Sequence, residues 1–160
     1  TDTLNWNQSA ASSFFNLAGK TLVMASPTNT KLFRNETGNT EDGSNMSSYI
    51  QRTGLTMDEQ GNPNQAMVKH ISSVWPKMKV NPDSASDTVN IYVGHQMSTE
   101  EAITWEGPYT FNPDTQSKVP VRVTGKYIGV KFESTTDTTW QLNGYSLDVK
   151  NAGVRGSVSR

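Results

Sequence analysis

Val119–Phe132 reads VPVRVTGKYIGVKF. Val119, Val121 and Val123 alternate with Pro120, Arg122 and Thr124. Ile128, Val130 and Phe132 alternate with Gly129 and Lys131. Successive side chains of a strand leave opposite faces, so a period of two with one apolar set marks a half-buried strand. Gly125–Lys126 supplies a turn between the two runs. The stretch is therefore expected to form a β-hairpin with one dry and one wet face.

The same logic extends outward. Val89, Ile91 and Val93 alternate with Asn90 and Tyr92 until Gly94 breaks the run, and Ser134–Thr139 is a polar turn. Trp140–Val149 (WQLNGYSLDV) has two readings. Asn143–Gly144 is a strong two-residue hairpin signal, slightly favoured on local chemistry. A bulge at the same place in one long strand would instead bring Trp140 and Leu142 onto one face with Tyr145, Leu147 and Val149. Ala66–Val80 is ambiguous as well. Met67, Ile71, Val74, Trp75 and Met78 fit a helical spacing, while Met67, Lys69, Ile71, Ser73 and Trp75 fit one face of a strand. Pro76 and the β-branched content favour the strand. Five or six strands without a clear helix predict an all-β chain. Its main domain, residues 66–150, reads as an antiparallel β-sandwich of jelly-roll or immunoglobulin-like type.

Upstream, Lys20–Ala25, Lys31–Arg34 and Met46–Thr53 read as short strands, separated by the Ser26–Asn29 turn and the polar loop Asn35–Asn45. They predict a β-meander over residues 1–56, part of a propeller blade or an extended arm. Within it, polar Thr1–Ser13 reads as a linker or a strand borrowed from something upstream. Residues 57–65 hold Gly61 and Pro63 among polar residues and are expected to be a linker; residues 151–160 are expected to be a flexible tail.

Composition narrows the function classes. Ser, Thr and Asn make up 50 of the 160 residues, charged residues are 18%, and the net charge is −1. With no cysteine, a disulfide scaffold, a cysteine zinc site and a thiol nucleophile are excluded. Near-neutral charge argues against direct nucleic-acid recognition through overall positive charge. No stretch approaches the length of a transmembrane helix, and no membrane partner is expected. No signal peptide is visible at the N-terminus. The N-x-[ST] triplets at Asn7, Asn35 and Asn45 match the roughly three expected by chance.

Catalytic signatures are lacking. His70 and His95 are the two histidines, and no G-x-S-x-G context accompanies them. Glu41–Asp42 and Glu100–Glu101 are adjacent carboxylates, which read as solvated loop charges rather than a catalytic pair. Asn39–Gly43 and Asp58–Asn62 each resemble part of a calcium loop without its full spacing or closing Glu. No cofactor, metal site or catalytic residue is assigned. Aromatics cluster in the second half, and Trp105, Tyr109 and Phe111 around Glu106-Gly107-Pro108 are the candidate partner or glycan contacts. The competing reading is that they fill the core.

Tyr127–Ser134 (YIGVKFES), Trp140–Val149 and Ala152–Gly153 together resemble the C-terminal end of bacteriophage tail structural proteins. These are the nozzle or hub-type (tail stabilisation) proteins of short-tailed phages. Thr53–Leu55, Lys69–Pro76, Val89–Gly94 and Lys118–Val123 fall in a similar order, so the likeness spans roughly Tyr49 to Gly153. Lys20–Thr53 looks like part of a propeller blade preceding a terminal sandwich. The resemblance implies a non-enzymatic virion protein of the tail or neck, made in the host cytoplasm. It would assemble as a homo-oligomeric ring with other phage tail proteins. It also implies that Thr1 is a cut through a longer protein, or that a small virion protein has kept only the end. A carbohydrate- or receptor-binding module of a phage fibre is the alternative.

Overall fold

The computed structural model describes residues 10–16, 19–25, 32–34, 40–41, 44–80, 88–136 and 139–153, with side chains from residue 44 onward. Among these residues there is no helix, and the sheets are antiparallel. The chain divides into two compact units, Thr1–Ser44 and Asn45–Arg160.

In the first unit β1 (Ala10–Asn16), β2 (Gly19–Ala25) and β3 (Leu32–Arg34) form a three-stranded meander in that order. The run read at Lys20–Ala25 lies in β2, and Leu32–Arg34 of the run read at Lys31–Arg34 is β3. The remaining strand of this sheet is β1, not Met46–Thr53. Its sequence, AASSFFN, mixes small, polar and aromatic residues without alternation, so periodicity could not reveal it. The short strands β4 (Thr40–Glu41) and β5 (Ser44–Asn45) follow. The turn read at Ser26–Asn29 lies outside the described residues.

The second unit holds β6 (Ser48–Leu55), β7 (Lys69–Val80), β8 (Val89–Gln96), β9 (Thr104–Phe111), β10 (Val119–Gly125), β11 (Tyr127–Ser134) and β12 (Trp140–Asn151). One sheet has the order β10-β7-β12 and the other β6-β11-β8-β9. Both contribute to one apolar cluster. Val119, Val121 and Val123 come from the first sheet, and Ile91, Val93, Ile128, Val130 and Phe132 from the second. Each fully buried side chain of this kind stabilises by about 1.5–3 kcal/mol. The Phe132 and Tyr145 rings meet across the cluster at 5.4 Å. At one margin the Trp140 Nε1–H donates to Ser48 Oγ at 2.9 Å.

This arrangement corrects the hairpin expected at Val119–Phe132. Its two strands are present, but they pair with different neighbours. β10 pairs with β7, whereas β11 pairs with β6 and β8. Gly125–Lys126 carries the chain from one sheet into the other. Alternation reports which residues face the core, and it is the same for a hairpin as for two strands facing each other across that core. At Gly125 an added Cβ would come within 2.9 Å of His95 Cβ and 3.2 Å of the Gln96 and Tyr127 carbonyl oxygens. A side chain has no room at this crossing.

Two bulges explain the other ambiguities. β12 is one long strand whose register against β7 shifts between Leu142 and Gly144, so the bulge reading holds and the hairpin reading does not. Trp140 and Leu142 before the shift, and Tyr145, Leu147 and Val149 after it, all pack toward the core. β7 is a strand, as favoured. Its register against β12 skips Ser72, and the core-facing set becomes Ile71, Val74, Met78 and Val80. Spacings of three and four arise here from a bulge, which is why the segment imitated a helix.

The segment 57–65, expected to be a linker, joins two strands of one unit as a hydrogen-bonded turn. Asp58 Oδ1 accepts the N–H groups of Gln60 and Asn62 at 3.0 and 2.9 Å, and Asn64 N–H donates to Thr56 O at 2.8 Å. Of the expected tail, Ala152 N–H donates to Val68 O at 2.8 Å, and residues beyond 153 lie outside the described set.

Candidate interaction surfaces

The three aromatics named as candidate contacts are separated by the register shift between β8 and β9, which falls between Trp105 and Tyr109. Phe111 lies opposite Val89 on the inner face of β9 and is only 1% exposed, so it belongs to the core. Tyr109, opposite Ile91, packs against the same cluster. Trp105 points the other way. It pairs with Gly94 on β8, which pairs in turn with Gly129 on β11. A Cβ at Gly94 would come within 3.0 Å of the Trp105 Cε3, and one at Gly129 within 3.1 Å of its Cη2. Two adjacent glycines thus make a floor on the outer face of the four-stranded sheet. The half-buried indole rests there beside Ile103.

Further along this face Lys131 Nζ lies 5.2 Å from the centre of the Tyr49 ring and 4.9 Å from that of Tyr92. The same ammonium meets Glu133 Oε1 at 2.8 Å. Its hydrogen bond to Lys131, with a further one from Tyr92, holds the Glu133 carboxyl below the usual carboxylate range, although burial opposes the shift. Burial is the main cause that raises the Tyr92 phenol, and its bond to Glu133 adds to it. This cluster was not visible in sequence. Tyr49, Tyr92 and Lys131 are far apart along the chain, and only the pairing of β6, β11 and β8 brings them together.

The outer face of the three-stranded sheet differs in charge. Exposed Lys77 and Lys79 on β7, Arg122 on β10 with Lys118 just before it, and Lys150 on β12 share it, among the described residues, with one carboxylate, Asp148. That carboxylate accepts the Trp75 Nε1–H at 2.9 Å. Lys118 Nζ stands 5.0 Å over the Trp75 ring.

No protein-family model matches this chain, and no curated protein matches it either.

The histidines lie on different sheets. His70 Nδ1 is 3.0 Å from Thr124 Oγ1, and His95 Nε2 is 3.8 Å from Glu106 Oε1. Among the described residues neither imidazole bonds a serine hydroxyl. Glu100 and Glu101 are exposed in the β8–β9 connection, where Glu101 accepts the Met97 N–H at 3.3 Å and its carbonyl accepts the Gln96 side chain. The Asp58 carboxylate is occupied by the backbone of its own turn. Among the described residues no three His, Asp or Glu side chains gather as a metal site would require. The side chains of Asn39–Gly43 lie outside the described set.

Proposed function

We propose that this chain is a non-enzymatic structural component of a bacteriophage virion. It is a tail or neck protein of nozzle, hub or adaptor kind, assembling as a homo-oligomeric ring with other tail proteins. It is made in the host cytoplasm and resides in the particle. The observation that carries the reading is the motif string from Tyr127 to Gly153. In the fold this string is β11, β12 and the two residues after them, elements that supply Ile128, Val130, Phe132, Tyr145, Leu147 and Val149 to the core and its rim. On this reading the two sheets are an antiparallel β-sandwich of jelly-roll or immunoglobulin-like type, and the preceding meander is part of a propeller blade or an extended arm. Hydroxyl- and amide-rich surfaces suit such a role, because assembled interfaces carry about one hydrogen bond per 100–200 Å². Mass spectrometry of purified virions from the genome that carries this reading frame tests the proposal. The chain is expected in stoichiometric amounts with other tail components, and its absence from particles refutes the reading.

One observation favours a second reading, a carbohydrate- or receptor-binding module of a fibre. Trp105 lies on an outer sheet face over the Gly94–Gly129 floor, where an indole can stack on a sugar ring. Glycan-array binding lost in a folded Trp105→Ala variant supports it. Absence of binding to host glycans and cells counts against it.

A further inference from the structure

We propose that the outer face of the three-stranded sheet docks the carboxylate-bearing β8–β9 connection and β9 edge of a second copy of this chain. The contact would be head to tail and electrostatic. The proposal rests on the homo-oligomer of the functional reading and adds the surfaces that join.

The whole chain carries a net charge of −1, so neither sign dominates. The signs are nevertheless segregated. Lys77, Lys79, Lys118, Arg122 and Lys150 share one sheet face, and among the described residues none of them has a carboxylate partner. Asp148, the one acid of this face among the described residues, is engaged by the Trp75 indole. Lys77 and Lys79 stand about 6.6–6.8 Å apart along β7, as alternate residues of a strand do. Like charges on one face of a sheet repel, so a carboxylate surface brought onto these five cations by a second copy relieves that repulsion.

The complementary surface lies on the other sheet. Met97–Phe111, the β8–β9 connection and β9 itself, contains Glu100, Glu101 and Glu106 and no Lys or Arg. All three carboxylates are exposed, and among the described residues the one side-chain ion-pair distance there is His95 Nε2 to Glu106 Oε1 at 3.8 Å. The edge of β9 is held off from strand addition, because Pro108 lacks an N–H and the β8–β9 register shifts there. Side-chain charge is therefore the means of association that β9 offers. The two surfaces differ, so their contact is heterologous, and heterologous contacts generate rings when the rotation closes. Complementary potentials also set register between subunits. Exposed charges are screened within about 8 Å at physiological salt, so the contact must weaken as salt rises.

The test uses the full chain in analytical ultracentrifugation over a wide range of protein concentration at low and high salt. The wild-type chain is expected to exceed 17.6 kDa at low salt and to associate at least tenfold more weakly at high salt. Two triple variants reverse charge at exposed positions: Lys77→Glu with Lys79→Glu and Arg122→Glu, and Glu100→Lys with Glu101→Lys and Glu106→Lys. Circular dichroism checks that each is folded. Each is expected to stay monomeric alone, and an equimolar mixture of the two is expected to associate. A wild-type chain that is monomeric throughout, variants that associate like wild type, or a mixture that stays monomeric each overturns the proposal. Heparin binding without self-association also overturns it and assigns the basic face to an anionic polymer. Presence in virions decides the tail reading separately: a monomeric chain found in particles refutes only the docking, and an associating chain absent from particles refutes only the tail role.

Discussion

Lys69 Nζ, on β7, donates to the carbonyl of Lys126 at 2.9 Å, the residue at which the chain leaves one sheet for the other. The same ammonium donates to Asn64 O at 2.6 Å and Met67 O at 2.8 Å. Lys69 is 1% exposed, and burial depresses its pKa, with the nearby Asp58 opposing the shift. One buried cation thus ties the 57–65 turn to the crossing between sheets.

Lys69→Met keeps the length of the side chain and removes its three donors. Each buried carbonyl left unpaired costs about 1–3 kcal/mol, so a loss of at least about 2 kcal/mol is expected. Urea denaturation measures it. A change within error of wild type would show that water replaces the ammonium without cost.

The glycines of the second unit are expected to respond according to what surrounds them. Gly125→Ala presses on His95 Cβ and on backbone carbonyls that cannot yield, and it is expected to cost about 1–3 kcal/mol. Gly129→Ala meets the ends of side chains, Ile103 Cδ1 at 2.6 Å and Trp105 Cη2 at 3.1 Å, which can move. It is expected to cost less and to shift the Trp105 indole N–H resonance. Thermal unfolding and NMR of both variants test the ordering.

The bulge in β12 makes a prediction about chain length. Deleting Asn143 leaves Leu142 and Tyr145 on the same face of a regular strand, so the fold is expected to survive with a loss of about 1 kcal/mol or less. Inserting one residue between Ser146 and Leu147 turns Leu147 and Val149 out of register with Trp140 and Leu142. That variant is expected to lose several times as much. Denaturation midpoints of the two variants decide it.

Glu133 sets a pH dependence. Its carboxyl titrates lower in the folded chain than in the unfolded one, where a glutamate has a pKa of about 4.3. The unfolded state therefore binds more protons between the two values, and stability falls as pH falls through them. The contribution is fully present above the unfolded value. Glu133→Gln is expected to remove this acid-side loss, seen as a smaller difference in urea midpoint between neutral and acid pH than in wild type.

Strand content was legible because alternation is a local property. Val119–Val123, Ile128–Phe132 and Val89–Val93 all lie where the period of two places them. Pairing was not legible. Val121 and Val130 show the same pattern whether their strands are hydrogen-bonded neighbours or face each other across a core, so the Gly125–Lys126 crossing read as a hairpin. Bulges hid as well, because skipping Ser72 gives Ile71, Val74 and Met78 a helix-like spacing. The surface was least legible. Trp105 could be singled out by type, yet its position over Gly94 and Gly129 depends on three strands pairing. Lys69, buried among three carbonyls, carries no sequence signal that separates it from a surface lysine.

The most direct test of the tail assignment is a cryo-EM map of purified virions from the genome that carries this reading frame. The account predicts density for the two sheets of β6–β12 repeated in a ring about the tail or neck axis. A complete map of tail and neck with no place for this chain would contradict it.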